Sequence, residues 1–88
     1  MDDSEVWWKR EERAIKCEKA GNIDEAVKLY EQNVSDHAYT PHSYRRLVML
    51  YKMLGRRSDE RRVAREALTV AKELDEKERH FFLKRLGR

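Results

Sequence analysis

The sequence predicts an all-α protein built from antiparallel helical hairpins, and three observations lead to this prediction. Two glycines, Gly21 and Gly55, stand 34 residues apart, each between two amphipathic helical patterns. Of the 88 residues, 42% are charged, whereas only three are glycine and one is proline. Such a composition favours helices with solvated faces over sheet or disorder. Repetition of helix pairs at this period is typical of proteins that bind other molecules rather than transform them.

The first hairpin is predicted over about residues 4–36. Ser4 is the predicted N-cap of its first helix, which contains no glycine or proline and extends to Ala20. The buried stripe of this helix is sparse and recurs at three- and four-residue spacing: Trp7, the stem of Arg10, Ala14, Cys17 and Ala20. Gly21 and Asn22 then break the helix. The second helix has one continuous apolar face, formed by Ile23, Ala26, Val27, Tyr30 and Val34.

The second hairpin is predicted over about residues 41–74. Pro41 suits the first position of a third helix, with Thr40 as its cap and Gly55 at its end. The apolar face of this helix comprises Tyr44, Leu47, Val48, Tyr51 and Leu54. Ser58 is the predicted cap of a fourth helix. The fourth helix carries small residues that permit close packing, on a face formed by Val63, Ala64, Ala67, Leu68, Ala71 and Leu74.

A terminal helix is predicted over about residues 76–86, completing a single domain that spans residues 1–88. Asp75 followed by Glu78 resembles a capping pattern, and the buried side of the helix would be Phe82, Leu83 and Leu86. The alternative is one continuous rod with the fourth helix. A break near Asp75 is favoured, because a rod of ~40 Å would leave its last apolar residues uncovered.

Charge and composition set limits on function. Residues 1–36 carry ten acids against six bases, net −4, and residues 37–88 carry fourteen bases against seven acids, net +7. No apolar run is long enough to span a membrane, and the N-terminus is acidic where a signal peptide is basic. A single cysteine, Cys17, excludes an intramolecular disulfide. We therefore expect a soluble cytoplasmic protein without membrane association.

The sequence offers no motif for catalysis. His37, His42 and His80 lack the spacing of zinc ligands, so no metal site and no cofactor are predicted. Cys17 lies on the predicted buried face and is interpreted as a small hydrophobe rather than a nucleophile. Neither a glycine-rich phosphate loop nor a serine elbow is present. A non-enzymatic function is expected.

The pattern of small and aromatic residues resembles the tetratricopeptide repeat family, over residues 7 to about 74. In the first unit the matching positions are Ala14, Gly21, Ile23, Ala26 and Tyr30. In the second unit they are Tyr44, Leu47, Tyr51, Gly55, Ala64 and Ala67. The chain departs from the family pattern at Arg10, Arg13 and Glu60, where aromatic, leucine-like and small residues are usual. The resemblance implies a shallow superhelix.

In such a superhelix the first helix of each hairpin lines a concave surface that accepts an extended peptide or a partner's helix. By this resemblance the surface would present Trp8, Glu11, Ile15 and Glu18 from unit one and His42, Arg45, Met49, Lys52 and Met53 from unit two. The methionines would adapt to an irregular partner or, alternatively, fill gaps between helices. The lysine and asparagine clamp of chaperone-binding members has no counterpart here, because Glu11, Ile15 and Met49 stand at such places.

Two further features bear on partners. Trp7 and Trp8 point about 100° apart on a helix, so at least one is expected to contact the terminal helix, another copy of the chain or a neighbouring domain. A homodimer is therefore one form of the expected interaction. The alternative function is nucleic-acid binding through Arg61, Arg62 and Arg65, although the interleaved Asp59, Glu60 and Glu66 also describe a solvated face.

Overall fold

The computed structural model describes residues 3–71 and 74–87, and over these ranges it contains five helices and no strand. The helices are α1 (Asp3–Lys19), α2 (Ile23–Ser35), α3 (Pro41–Met53), α4 (Arg57–Val70) and α5 (Glu76–Arg85). The main packing partners are successive helices: α1 with α2, α2 with α3, α3 with α4 and α4 with α5. The predicted all-α array of helical hairpins is confirmed.

The 34-residue interval corresponds to two turns of the same conformation. Gly21 and Gly55 both have a positive φ, 84° and 71°, which glycine adopts without steric cost. Each turn closes with two bonds of the Schellman type: the Gly21 amide donates to Glu18 and the next amide to Cys17, as in the second turn. The following residues, Asn22 and Arg56, have similar dihedrals, with ψ at 71° and 75°. α5 is also followed by a glycine with a positive φ, Gly87 at 84°.

Two predicted caps are wrong. α1 begins at Asp3, so Ser4 lies inside the helix rather than at its cap. α4 begins at Arg57 with Arg56 at the N-cap position, two residues before the predicted cap Ser58. The reason for the second error is the turn itself: the Arg56 amide bonds back to the Tyr51 carbonyl, 2.9 Å away, and the chain enters α4 directly.

The break between the fourth and fifth helices is confirmed. α4 ends at Val70 and Ala71 has extended dihedrals, so Ala71 and Leu74 do not continue the helix as predicted. α5 begins after Asp75, whose carboxylate accepts a hydrogen bond from the Glu78 amide at 2.8 Å. Residues 72 and 73 of the predicted helix lie outside the described residues.

The core lies mainly between α2, α3 and α4. α3 buries five apolar side chains: Tyr44, Leu47, Val48, Leu50 and Tyr51. α4 adds Val63, Ala64 and Ala67, and α5 inserts Phe82. Three residues predicted to be buried at helix ends are exposed: Ala20, Leu54 and Leu83. Ala20 and Leu54 are exposed because α1 and α3 end one residue earlier and the turns carry both side chains towards solvent.

α1 docks differently from the other helices. Among its described side chains only Ala14 is a buried apolar residue, although Ile15 and Cys17 pack partly against the core. Polar contacts complete the interface with α2. The guanidinium of Arg10 donates to Asn33 Oδ1 at 2.9 Å and to Asp36 Oδ2 at 2.8 Å. Asn33, fully buried, donates in turn to the Trp7 carbonyl at 3.2 Å.

Candidate interaction surface

α1, α3 and α5 share an open surface that we call the α1–α3–α5 strip. Between α1 and α3 it holds a cavity of 370 Å³, lined by Ile15, Glu18, Lys19, His42 and Arg46. Between α3 and α5 it holds a cavity of 140 Å³, lined by Tyr39, His42, Arg45, Glu78, Phe81 and Phe82. His42 lines both cavities, so they adjoin. The strip includes the predicted contact residue Arg45.

A charged network stabilises the α1 side of the strip. Arg46 binds Glu18 through two nitrogens, with 2.5 Å between Nη2 and Oε1, and the Tyr30 hydroxyl donates to Glu18 Oε2 at 2.5 Å. Burial opposes ionisation of Glu18. The hydrogen bonds from Arg46 and Tyr30 and the charge of Arg46 outweigh it, and they hold the pKa of the Glu18 carboxyl below its usual range. Glu18 is therefore a fixed anion at neutral pH.

The α5 side of the strip is formed by a stack of cations on an aromatic ring. The guanidinium carbons of Arg45 and Arg85 lie 4.6 Å and 4.1 Å from the centre of the Phe81 ring. Arg85 also lies against the sulfur of Met49, with 3.5 Å between Nη2 and Sδ. Met49, a predicted contact residue, is therefore half-buried beside α5, in the manner of a gap filler.

Glu11, another predicted contact residue, is directed into the protein. It is 3% exposed, and its Oε1 accepts hydrogen bonds from the amides of His42 and Ser43, at 3.1 Å and 2.7 Å, and from the Ser43 hydroxyl at 2.9 Å. It thus satisfies the free amides at the start of α3, the role that sequence analysis gave to Thr40. Thr40 does occupy the N-cap position, but its hydroxyl donates to Ser43 Oγ.

The two tryptophans differ in exposure. Trp7 is half-buried, whereas Trp8 is 47% exposed. Val6, two residues before Trp8, is 42% exposed. The divergence of adjacent helical side chains thus leaves one large apolar surface in solvent. Exposed tryptophan is uncommon away from binding surfaces.

The remaining predicted contact residues lie at the end of α3. Lys52 is exposed, and Met53, at 72%, is the most exposed of the large apolar side chains that the structure describes. Lys52 does not line either cavity of the strip. It faces a separate cavity of 380 Å³ beside the end of α5.

Several residues of the strip, among them Lys19, Tyr39 and Arg46, were not predicted from the sequence. Arg46 carries no local signal, because its partner Glu18 is 28 residues earlier and on another helix. Phe81 lies within the predicted terminal helix, beside Phe82 of its predicted buried side. Its apolar character next to Phe82 was visible, but its stacking on Arg45 depends on how α5 packs.

The arginines of the nucleic-acid alternative are not equivalent. All three are exposed, but Arg62 also pairs with Glu31 from α2 and with Asp59, at 3.3 Å. The hydrogen bond to Glu31 raises the pKa of Arg62 above its usual range. An arginine engaged in this way has little capacity left for a phosphate.

Among the described residues, no group of three histidine, cysteine, aspartate or glutamate side chains is arranged to hold a metal ion. None of the described helices has the length and apolar character needed to cross a bilayer. Comparisons with known protein families, with curated proteins and with solved structures find no match.

Proposed function

We propose that this chain is a non-enzymatic protein-interaction module, similar to a short tetratricopeptide array, which binds a segment of another protein on the α1–α3–α5 strip. The observation that carries the proposal is the strip itself: two adjoining cavities, of 370 Å³ and 140 Å³, open across three helices. A surface of this kind fits an extended peptide or one face of a helix.

The chemistry of the strip indicates the kind of segment that fits. Ile15 and Phe81 offer apolar surface in the two cavities, and His42 lies between them. Arg45 is exposed and has no carboxylate within 4.0 Å among the described residues, so it is available to a partner. An apolar segment that carries an acidic residue would satisfy both requirements.

Trp8 and Met53 extend the proposed contact beyond the cavities. Their exposed fractions, 47% and 72%, are large for apolar side chains, and burial of such residues dominates the energy of many interfaces. A second copy of the chain is one partner that these residues would suit, since the two parts of the chain carry opposite charge, −4 and +7. We propose that the protein acts in the cytoplasm.

A peptide-display selection against the full chain tests the proposal. Selected peptides are expected to be apolar with an acidic residue and to shift the amide resonances of Ile15, His42 and Arg45. The exposed change Arg45→Glu should weaken binding about tenfold, because it replaces an attraction by a repulsion. Lys28→Glu, on the exposed side of α2, is the matched control.

Two outcomes would count against the proposal. One is the failure to select any peptide, and the other is binding that Lys28→Glu weakens as much as Arg45→Glu does. Sedimentation at micromolar concentration tests the self-association separately. A monomer at all concentrations would remove the homodimer and leave the peptide surface as proposed.

A further inference from the structure

Arg85, at the end of α5, is a nearly buried cation that stacks on Phe81 but has poor hydrogen-bond partners. Its side chain is 12% exposed, and its Nε atom has no hydrogen-bond partner among the residues that the structure describes. The carboxylate of Glu60 lies 3.9 Å from Nε, which is too far for a hydrogen bond. The terminal nitrogens make only long contacts, 3.4 Å to the Phe81 carbonyl and 3.5 Å to the Met49 sulfur. Buried charged groups normally have full hydrogen bonding, so this guanidinium retains unused donors.

Arg85 forms one wall of the 380 Å³ cavity beside the end of α5. The other lining residues are Lys52, Gly55, Arg57, Glu60 and Lys84. Four cations thus face one carboxylate, a formal charge of +3. Within the described parts of the chain, no carboxylate lies within 4.0 Å of the three exposed cations, Lys52, Arg57 and Lys84. Only part of the positive charge of the lining is therefore offset, by Glu60.

We infer that this cavity binds the phosphoryl group of a phosphomonoester. Such a group carries a charge of about −1.5 to −2 at neutral pH and three strong acceptor oxygens. Arginine presents a planar fork of donors that matches phosphate, and lysine adds a compact charge. A single carboxylate would leave about two positive charges uncompensated. The excess of cations therefore favours the doubly charged ligand.

The cavity is distinct from the two cavities of the α1–α3–α5 strip, and Arg85, which stacks on Phe81, connects it to the α5 side of the strip. No residue that lines it also lines either cavity of the α1–α3–α5 strip. Its volume exceeds that of a phosphate ion and falls within the range of small-ligand sites, about 300–1,000 Å³. The ligand is accordingly a phosphate ester with an attached group, carried by a phosphorylated side chain or by a small molecule.

Glu60 gives the inference a specific signature. Its side chain, 14% exposed, offsets part of the charge of Arg85 and repels an incoming phosphate. Removing this one negative charge with Glu60→Gln should therefore tighten phosphate binding, by about threefold. Nonspecific attraction of anions to the basic surface would change little when this single charge is removed.

The test is a titration of the isotopically labelled full chain with inorganic phosphate and with phosphoserine, followed by amide resonances. We expect saturable shifts centred on Gly55 and Lys84. The double change Lys52→Gln and Lys84→Gln, at two exposed positions, should weaken binding about tenfold. Lys77→Gln removes one charge from α5 outside the cavity and serves as the control, with less than about twofold effect.

A phosphoserine peptide distinguishes the two sources of the ligand. Tighter binding of the peptide than of phosphoserine assigns the phosphate to a protein, and equal binding assigns it to a small ester; both results support the site. The inference is overturned by shifts that do not saturate, or by equal weakening from Lys77→Gln and from the lysine double change. It is also overturned if an oligonucleotide displaces phosphate in a manner that depends on Arg61 and Arg65 but not on Lys52 and Lys84.

Discussion

α1 and α3 end in the same glycine turn, yet α3 buries five apolar side chains where the described part of α1 buries only Ala14. α1 is attached instead by carboxylates and arginines: Glu11 to the start of α3, Glu18 to Arg46, and Arg10 to Asp36. Apolar burial involves no titrating group and no charge that salt can screen, whereas ion pairs depend on both pH and ionic strength. The same glycine turn therefore joins helices that are held to the protein by different forces.

Removing buried apolar surface from α3 should destabilise the protein most. Leu47 is fully buried in α3, so Leu47→Ala should lower the free energy of unfolding by about 2–5 kcal/mol and destabilise all five helices together. Urea denaturation followed by circular dichroism measures this loss. Met53→Ala, at a 72% exposed position of the same helix, should change stability by less than about 0.5 kcal/mol. A loss below about 1 kcal/mol for Leu47→Ala would contradict the assignment of the core to α3.

The hydrogen bonds that attach α1 to the start of α3 are tested at Glu11. Glu11→Ala removes the acceptor of two α3 amides and should cost about 1–3 kcal/mol. Hydrogen exchange should then accelerate in α1 and at the start of α3, while the amides of α4 stay protected. Glu11→Gln keeps an acceptor oxygen and should restore part of the loss, and Glu12→Ala, at an exposed neighbour, is the control. Uniform acceleration in all helices would show that α1 is not a separate unit.

The shared turn is tested by adding a methyl group to each glycine. A Cβ at Gly21 or Gly55 meets no atom within 4 Å, so the cost of alanine comes from the positive φ alone. We expect about 1–2 kcal/mol for each substitution. Thermal denaturation of the two single variants should therefore give similar losses. A difference of more than about 1 kcal/mol would mean that the turns also differ in how their helices dock.

The contribution of the Glu18 carboxylate to stability should be small and should depend on pH. The folded-state pKa of Glu18 lies below its unfolded value of 4.5, so the carboxylate stabilises the fold above that value, and the contribution is lost as pH falls through the folded pKa. Glu18→Gln should cost about 0.5–1 kcal/mol at neutral pH and have little effect in strong acid, because Arg46 is 41% exposed. Urea midpoints measured from neutral to acid pH report this difference. A constant difference across that range would contradict the role of the charge.

The helices could largely be predicted from the sequence, because they depend on local residue patterns. Gly21 and Gly55 mark backbone conformations that few other residues adopt, and the apolar face of α2 repeats at helical spacing. The ends of α4 were less readable. Its start at Arg57 follows from the geometry of the preceding turn, and a serine one position later resembled a cap.

The buried polar contacts could not be predicted from the sequence, because the residues that form them are far apart along the chain. Glu11 has the appearance of a solvated helix residue, yet it meets Ser43, 32 positions later. Asn33 is likewise polar in a helix and fully buried, where it contacts Trp7 and Ser43. Nothing in either local sequence distinguishes a buried carboxylate or amide from an exposed one. Residues of the strip such as Arg46 were missed for the same reason.

The equivalence of the two glycine turns defines a segment of the chain that is suited to tandem repetition. Residues 22–55 begin after one turn glycine and end on the next, so a tandem copy inserted after Gly55 would join its neighbours through junctions of the same backbone geometry. Each added module would contribute another helix pair and lengthen the protein without altering either end. The fold is in this respect a building block whose size is set by the number of copies.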